Sequence, residues 1–247
     1  MLFKFKNHAR FRNREPIFNW RFVVWLFLLA MIVCGFIWGG ITLKSPDNFP
    51  IEKIKIVAPY QHVEPKVLQE VISAFAMRGF FNLDVVSLKQ RLLMIPWVYA
   101  VEIKREWPDT IMIIVWEQNA VAEWNREALL NQDGKIFRPE HKTFPNKLPQ
   151  LFGEDVNAFQ VWRNYQNMQL SLSSLHFNIS QLSLDAQGFW HITLGTGEEL
   201  FIGYASPLSR LQDFIAAYPK IIASHPDPNW VRVDLRYEDG VAIKWKN

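Results

Sequence analysis

The run FVVWLFLLAMIVCGFIWGGITL, Phe22 to Leu43, holds 22 consecutive residues without a charge. As an α-helix it extends about 33 Å at roughly 1.5 Å per residue, and the hydrocarbon core of a bilayer is about 30 Å thick, so one such helix spans it once. A secretory signal peptide is the rival explanation. Its apolar region is typically only about 7–15 residues long, and the segment KSPDNFP that follows here offers no small-x-small cleavage site. The expectation is an uncleaved anchor over residues 22–43. Residues 1–21 carry Lys4, Lys6, Arg10, Arg12, Arg14 and Arg21 against Glu15 alone. Positive charge on that side places the amino terminus in the cytoplasm and residues 44–247 across the membrane, which in a Gram-negative cell is the periplasm. Gly35 and Gly39 form a GxxxG within the span, a spacing that lets two helices approach and self-associate, although glycine is also common in membrane helices.

That tail accounts for the basic character of the chain. The formal charge is +3 and the tail contributes +5, so the remainder sums to 3 − 5 = −2. The exported part therefore lacks the cationic surplus that nucleic-acid binding requires. Cys34, the single cysteine, lies in the span. The exported part can form neither a disulfide nor a cysteine metal site, and its stability must come from packing.

Past a Pro-containing spacer, IEKIKIV alternates as a strand through Ile54 and Ile56. Val67, Leu68, Val71, Ile72 and Phe75 fall at helical spacing behind Pro65, and Asp84 is placed to cap a second helix with Val85, Leu88, Leu92 and Ile95 on its apolar face. VYAVEIKREW, a turn at Pro108-Asp109 and TIMIIVW then read as two further strands. The order β-α-α-β-β favours a three-stranded sheet with two helices on one face, the element order of a POTRA domain, over residues 44–118.

Residues 119–247 have a different texture. Pro139, Pro145 and Pro149 point to an irregular surface loop between Arg138 and Gln150. A helix is expected over Val156 to Met168 with Phe159, Trp162 and Tyr165 at helical intervals. A second is expected after Ser206, a candidate cap, and Pro207, with a stripe from Leu208 to Ile222. FNISQLSL, FWHITLG and EELFIG read as a three-strand meander, so the whole is an α+β chain ending in a mostly antiparallel β domain with flanking helices.

The closing WVRVDLRYEDGVAIKWKN reads as a hairpin. A two-residue Asp239-Gly240 turn would set apolar Leu235 opposite Lys244. A three-residue loop over Glu238–Gly240, with Gly240 left-handed, aligns Tyr237 with Val241, Leu235 with Ile243 and Val233 with Trp245. It puts Asp234 beside Lys244, Arg232 beside Lys246 and Arg236 beside Ala242. The last strand-like run ends two residues before Asn247, so its outer edge is expected to be open. Lysines there either discourage edge-to-edge aggregation or neighbour a docking site for an extended acidic segment.

Two patterns carry a resemblance: PWV…V.I.R.WPD…I.V.E..A.A.W from Pro96 to Trp124, and VDLRY…G.A..W from Val233 to Trp245. With the basic tail, the single span and the POTRA-like unit, the chain resembles the FtsQ/DivIB family of bacterial cell-division proteins along its full length. The resemblance implies a non-enzymatic divisome scaffold of the inner membrane, concentrated at the septum, with no cofactor, metal or catalytic residue. It implies that the POTRA unit contacts other divisome proteins, and that the β domain binds FtsB and FtsL, with an FtsB strand added to the terminal strand. The corresponding surface here is Arg236, Tyr237, Asp239, Gly240, Lys244 and Trp245, of which Asp239 and Lys244 replace residues that are often small or neutral in the family.

Two other functions compete. An exported hydrolase lacks any sequence signature here, since the six histidines are scattered and neither HExxH nor GxSxG occurs. A POTRA protein of outer-membrane assembly or secretion usually repeats the unit or joins it to a barrel, and no internal repeat is visible.

Overall fold

The computed structural model describes residues 20–44, 49–204, 206–225, 229–237 and 240–246, so most of the basic tail and part of the spacer lie outside the described residues. The apolar run folds as α1 (Trp20–Lys44). It is the one helix among the described residues long and apolar enough to cross a membrane, and none of that stretch is buried in protein. Gly35 and Gly39 have open space where a side chain would stand.

The next unit is β1 (Lys53–Val57), α2 (Pro65–Ala76), α3 (Val85–Leu93), β2 (Val98–Glu106) and β3 (Thr110–Glu117), in the order expected from the apolar periodicities. β3 is central, parallel to β1 and antiparallel to β2. Its nearly continuous apolar sequence follows from that position. Pro65 opens α2, and the Asp84 carboxylate caps α3 by accepting the Ser87 N–H at 3.0 Å. Leu68 and Ile72 of α2, and Leu88 and Leu92 of α3, bury against Val101, Ile111 and Ile113 of the sheet.

The second unit is one nine-stranded sheet. It comprises β4 (Ala120–Trp124), β5 (Ala128–Asn131), β6 (Ile136–Phe137), β7 (Gln150–Phe152), β8 (Ile179–Leu184), β9 (Trp190–Leu194), β10 (Glu199–Gly203), β11 (Trp230–Asp234) and β12 (Ala242–Trp245). The spatial order is β12-β11-β10-β9-β8-β7-β4-β5-β6. Five junctions are antiparallel and three, β4–β7, β7–β8 and β10–β11, are parallel. Two of the parallel pairs are bridged by helices, α4 (Ala158–Leu172) between β7 and β8, and α5 (Pro207–Ala223) between β10 and β11. Both pack on the face carrying Leu182, Ile192, Leu200 and Val233. Crossovers of this kind cover one face of a sheet and leave the other to polar side chains.

Three expectations change. The helix expected over Val156 to Met168 starts later and runs to Leu172, with Ala158, Val161, Trp162, Met168 and Leu172 inward, while Phe159 is exposed. Ser206 precedes α5 but makes no side-chain cap, because its backbone is left-handed (φ 43°). The Pro-rich segment contains a short 3-10 turn over His141–Thr143 and leads into β7, and its Phe144 and Leu148 pack inward.

The two units share a core. Leu129 and Phe137, from the nine-stranded sheet, are buried among POTRA residues. Trp97 sits at the junction, its ring stacked 3.9 Å from His62 and edge-on to Phe137, its Nε1–H donating to Thr143 Oγ1 at 2.9 Å. Beside it, the nearly buried Glu117 carboxylate accepts the backbone N–H groups of Gln61, His62 and Val63. Tyr99 Oη donates to Asp133 and Asn131 Nδ2 to Gln118 Oε1, so polar contacts ring the apolar junction.

Candidate partner-docking edge

β11 is committed on its inner side. It runs parallel to β10 with Val233 beside Leu200, and the Leu235 N–H continues the ladder to the Phe201 carbonyl at 2.7 Å. On its other side lies β12, antiparallel, pairing Arg232 with Lys244, Val233 with Ile243 and Asp234 with Ala242. β12 is the end strand of the sheet.

The expected hairpin register is therefore displaced by two residues: Ile243 faces Val233, where Leu235 was expected, and Arg232, where Asp234 was expected, faces Lys244. The cause is a local turn. The Arg236 N–H, which the expected register sends to Ala242, donates instead to the Asp234 side chain (3.1 Å), ending the pairing of β11 with β12 at Asp234. A slip of two preserves the faces. Ile243 and Trp245 still pack on the core, while Ala242 and Lys244 point to solvent.

The ladder also fixes which main-chain groups of β12 face outward. Lys246 N–H donates inward to Asn229 carbonyl at 2.9 Å. Main-chain groups of successive strand residues point alternately to the two sides, so Lys244 and Ala242 also face β11, and the N–H and C=O of Ile243 and Trp245 face out.

The surroundings are built from four elements. The Arg236 guanidinium grips Asp234 through two bonds of 2.9 and 2.6 Å, and this pairing holds the Asp234 carboxyl below the usual carboxylate range. Arg232 binds Glu199 and lies over the Phe201 ring, with the Arg236 guanidinium 5.8 Å from the same ring. Gly203 permits this approach: with φ +92° it ends β10 where a Cβ would stand 3.3 Å from Arg236 Cγ. On the far side of Phe201, His191 stacks at 4.3 Å with its Nε2 buried and unpartnered, and burial pushes its pKa down. On the helical face, Arg210 of α5 donates to the Leu235 carbonyl at 2.6 Å. An open groove runs there between α5 and the β11–β12 loop, lined by Asp213, Phe214, Tyr237, Gly240 and Val241. Tyr237 is 61% exposed. Trp245 stacks on His225 at 3.9 Å.

A family model described as cell division protein FtsQ/DivIB, C-terminal, matches residues 121–236, and one described as POTRA domain, FtsQ-type, matches residues 49–118. Cell division protein FtsQ of Coxiella burnetii is 34% identical over 222 residues, covering 90% of each chain. The chain belongs to the FtsQ/DivIB family. FtsQ of Shewanella oneidensis is 32% identical over 95% of this chain and 90% of its own, and that of Allochromatium vinosum 34% identical over 88% and 87%.

Of the residues that the FtsQ resemblance points to, Arg236, Tyr237, Gly240, Lys244 and Trp245 gather around the β12 edge and its loop, and Asp239 lies outside the described residues. They divide into two sets. Tyr237 and Gly240 line the groove, whereas Arg236 is turned to the open sheet face by Asp234 and Phe201. Phe201, Gly203, Arg210 and His225 are additions that the sequence pattern alone did not single out. One signal was available: in EELFIG, Phe201 occupies a position that alternation assigns to the polar face. Among the described residues no group of three or more His, Cys, Asp or Glu is placed to hold a metal ion.

Proposed function

We propose that this FtsQ-family chain is a non-enzymatic scaffold of the bacterial division machinery that recruits the FtsB–FtsL pair by adding an FtsB strand to β12. The single observation carrying this proposal is the position of β12 at the end of the nine-stranded sheet, with the main-chain groups of Ile243 and Trp245 directed outward. Each added main-chain hydrogen bond is worth about 1 kcal/mol net, so a few of them supply several kcal/mol before ordering costs. The groove between α5 and the loop gives a neighbouring surface for side-chain specificity. In this proposal α1 anchors the protein in the inner membrane with its amino terminus cytoplasmic, the folded units lie in the periplasm and concentrate at the septum, and the POTRA unit contacts other divisome proteins. Open space at Gly35 and Gly39 is compatible with self-association through α1.

Tyr237→Glu tests the docking surface without touching the core, since the ring is mostly exposed. Capture of the FtsB periplasmic segment by the purified protein is expected to weaken by roughly tenfold or more, as for loss of an aromatic interface anchor. The far-UV circular dichroism should not change. Undiminished capture would remove the β11–β12 loop from the site.

A further inference from the structure

We infer that the POTRA end nearest α1 is a membrane-contact surface, on which Met77, Phe81 and Trp107 seat in the headgroup layer of the leaflet from which α1 emerges. The inference rests on α1 crossing the bilayer. Three chain segments meet at that end: Phe49 ahead of β1, the α2–α3 connection, and the β2–β3 turn. Phe80 N–H donates to the Phe49 carbonyl (2.9 Å) and Glu52 N–H to the Asp109 carbonyl (3.1 Å). Phe49, Phe80, Phe81 and Trp107 form one edge-to-face cluster, with ring centroids between 5.1 and 5.9 Å apart. Phe80 is buried as its floor, whereas Trp107 is 68% and Met77 80% exposed. Arg78 lies over the Phe75 ring beside them. An exposed tryptophan and methionine on an aromatic floor, with an arginine alongside, suit the boundary between headgroups and acyl chains.

The covalent chain places this end there. From Lys44, the last residue of α1, to Phe49 is five residue steps, at most about 18 Å when fully extended. A headgroup layer is itself roughly 5–8 Å thick. β3 then leads away from this end to Glu117, where the second unit joins. The short tether keeps the aromatic end beside the bilayer at a high effective concentration, so a modest apolar contact suffices to hold it. Charge contributes little, because Lys53 and Arg78 are offset by Glu52, Asp84 and Asp109.

The test uses the full chain in phosphatidylcholine–phosphatidylglycerol vesicles, with and without lipid bearing a doxyl quencher just below the headgroup or, for a label at the mid-span Cys34, near the end of the acyl chain. An environment-sensitive fluorophore is attached to the native Cys34, or, in a Cys34→Ser background, to Met77→Cys, Val86→Cys or Val156→Cys. Val86 is exposed in the first turn of α3 near the aromatic end, and Val156 is an exposed control on the second unit. The expected result is loss of about half the emission at positions 77 and 86, as at an interfacial site, with little loss at 156. Adding Trp107→Asp should return position 77 toward the control. Unquenched labels at 77 and 86 beside a quenched Cys34 label would overturn the contact alone. An unquenched Cys34 label would overturn the span and the contact together. Emission at 77 that responds to protein density but not to the quencher would assign the surface to a second copy instead.

Discussion

Ile243→Pro is expected to abolish partner capture while Ile243→Ala preserves it. Both substitutions remove the same half-buried side chain, at a cost to stability of about 1–2 kcal/mol. They differ at the amide. The Ile243 N–H faces away from β11, so proline there deletes no bond of the existing ladder and is tolerated as on other edge strands. It does remove an outward donor and places a ring in the path of an incoming strand. Losing two or three main-chain hydrogen bonds at about 1 kcal/mol each corresponds to an affinity drop of roughly 100-fold at 1.4 kcal/mol per tenfold. Lys244→Pro should behave oppositely, melting β12 itself, because its N–H is turned toward β11. Equal binding by the proline and alanine variants at position 243 would show that the partner does not use this edge.

Trp97→Ala should be the most damaging change to stability, at about 3–5 kcal/mol. The ring is buried where the two units meet, stacked on His62, edge-on to Phe137 and bonded to Thr143. Its removal empties a space bounded by both units, and the Thr143 hydroxyl loses its donor. Because Leu129 and Phe137 belong to the same core as the POTRA residues, the folded units of the unsubstituted protein should unfold in urea as one transition. In Trp97→Ala the transition is expected to move to lower denaturant and separate into two, followed by far-UV circular dichroism and tryptophan emission in parallel. A single coincident transition at an unchanged midpoint would contradict the shared-core description.

How much of this was legible in the sequence depended on the range of the interactions. The strands and helices of the POTRA unit were readable because their apolar faces repeat at periods of 2 and 3.6, and because Pro65 and Asp84 mark helix starts. The hairpin parity was readable for the same reason: either a zero or a two-residue slip keeps Ile243 and Trp245 on the core side. The register itself was not, since it turns on the Arg236 N–H choosing the Asp234 carboxylate over a cross-strand carbonyl. β7 escaped because three residues following a Pro-rich stretch carry no period. The shared core joins Trp97 to residues some 40 positions later, a contact that no local pattern encodes. At the candidate site, β10 and β11 are spatial neighbours separated by all of α5, which is why Phe201, Gly203 and Arg210 were not associated with Arg236 and Leu235 beforehand.

Amide hydrogen exchange along β12, read residue by residue with and without the FtsB segment, tests strand addition most directly. In the free protein the Ile243 and Trp245 amides should exchange quickly and those of Lys244 and Lys246 slowly, and on binding the first pair should become protected. Protection of Ile243 and Trp245 already present in the free protein, or a bound complex in which both still exchange freely, would contradict the account.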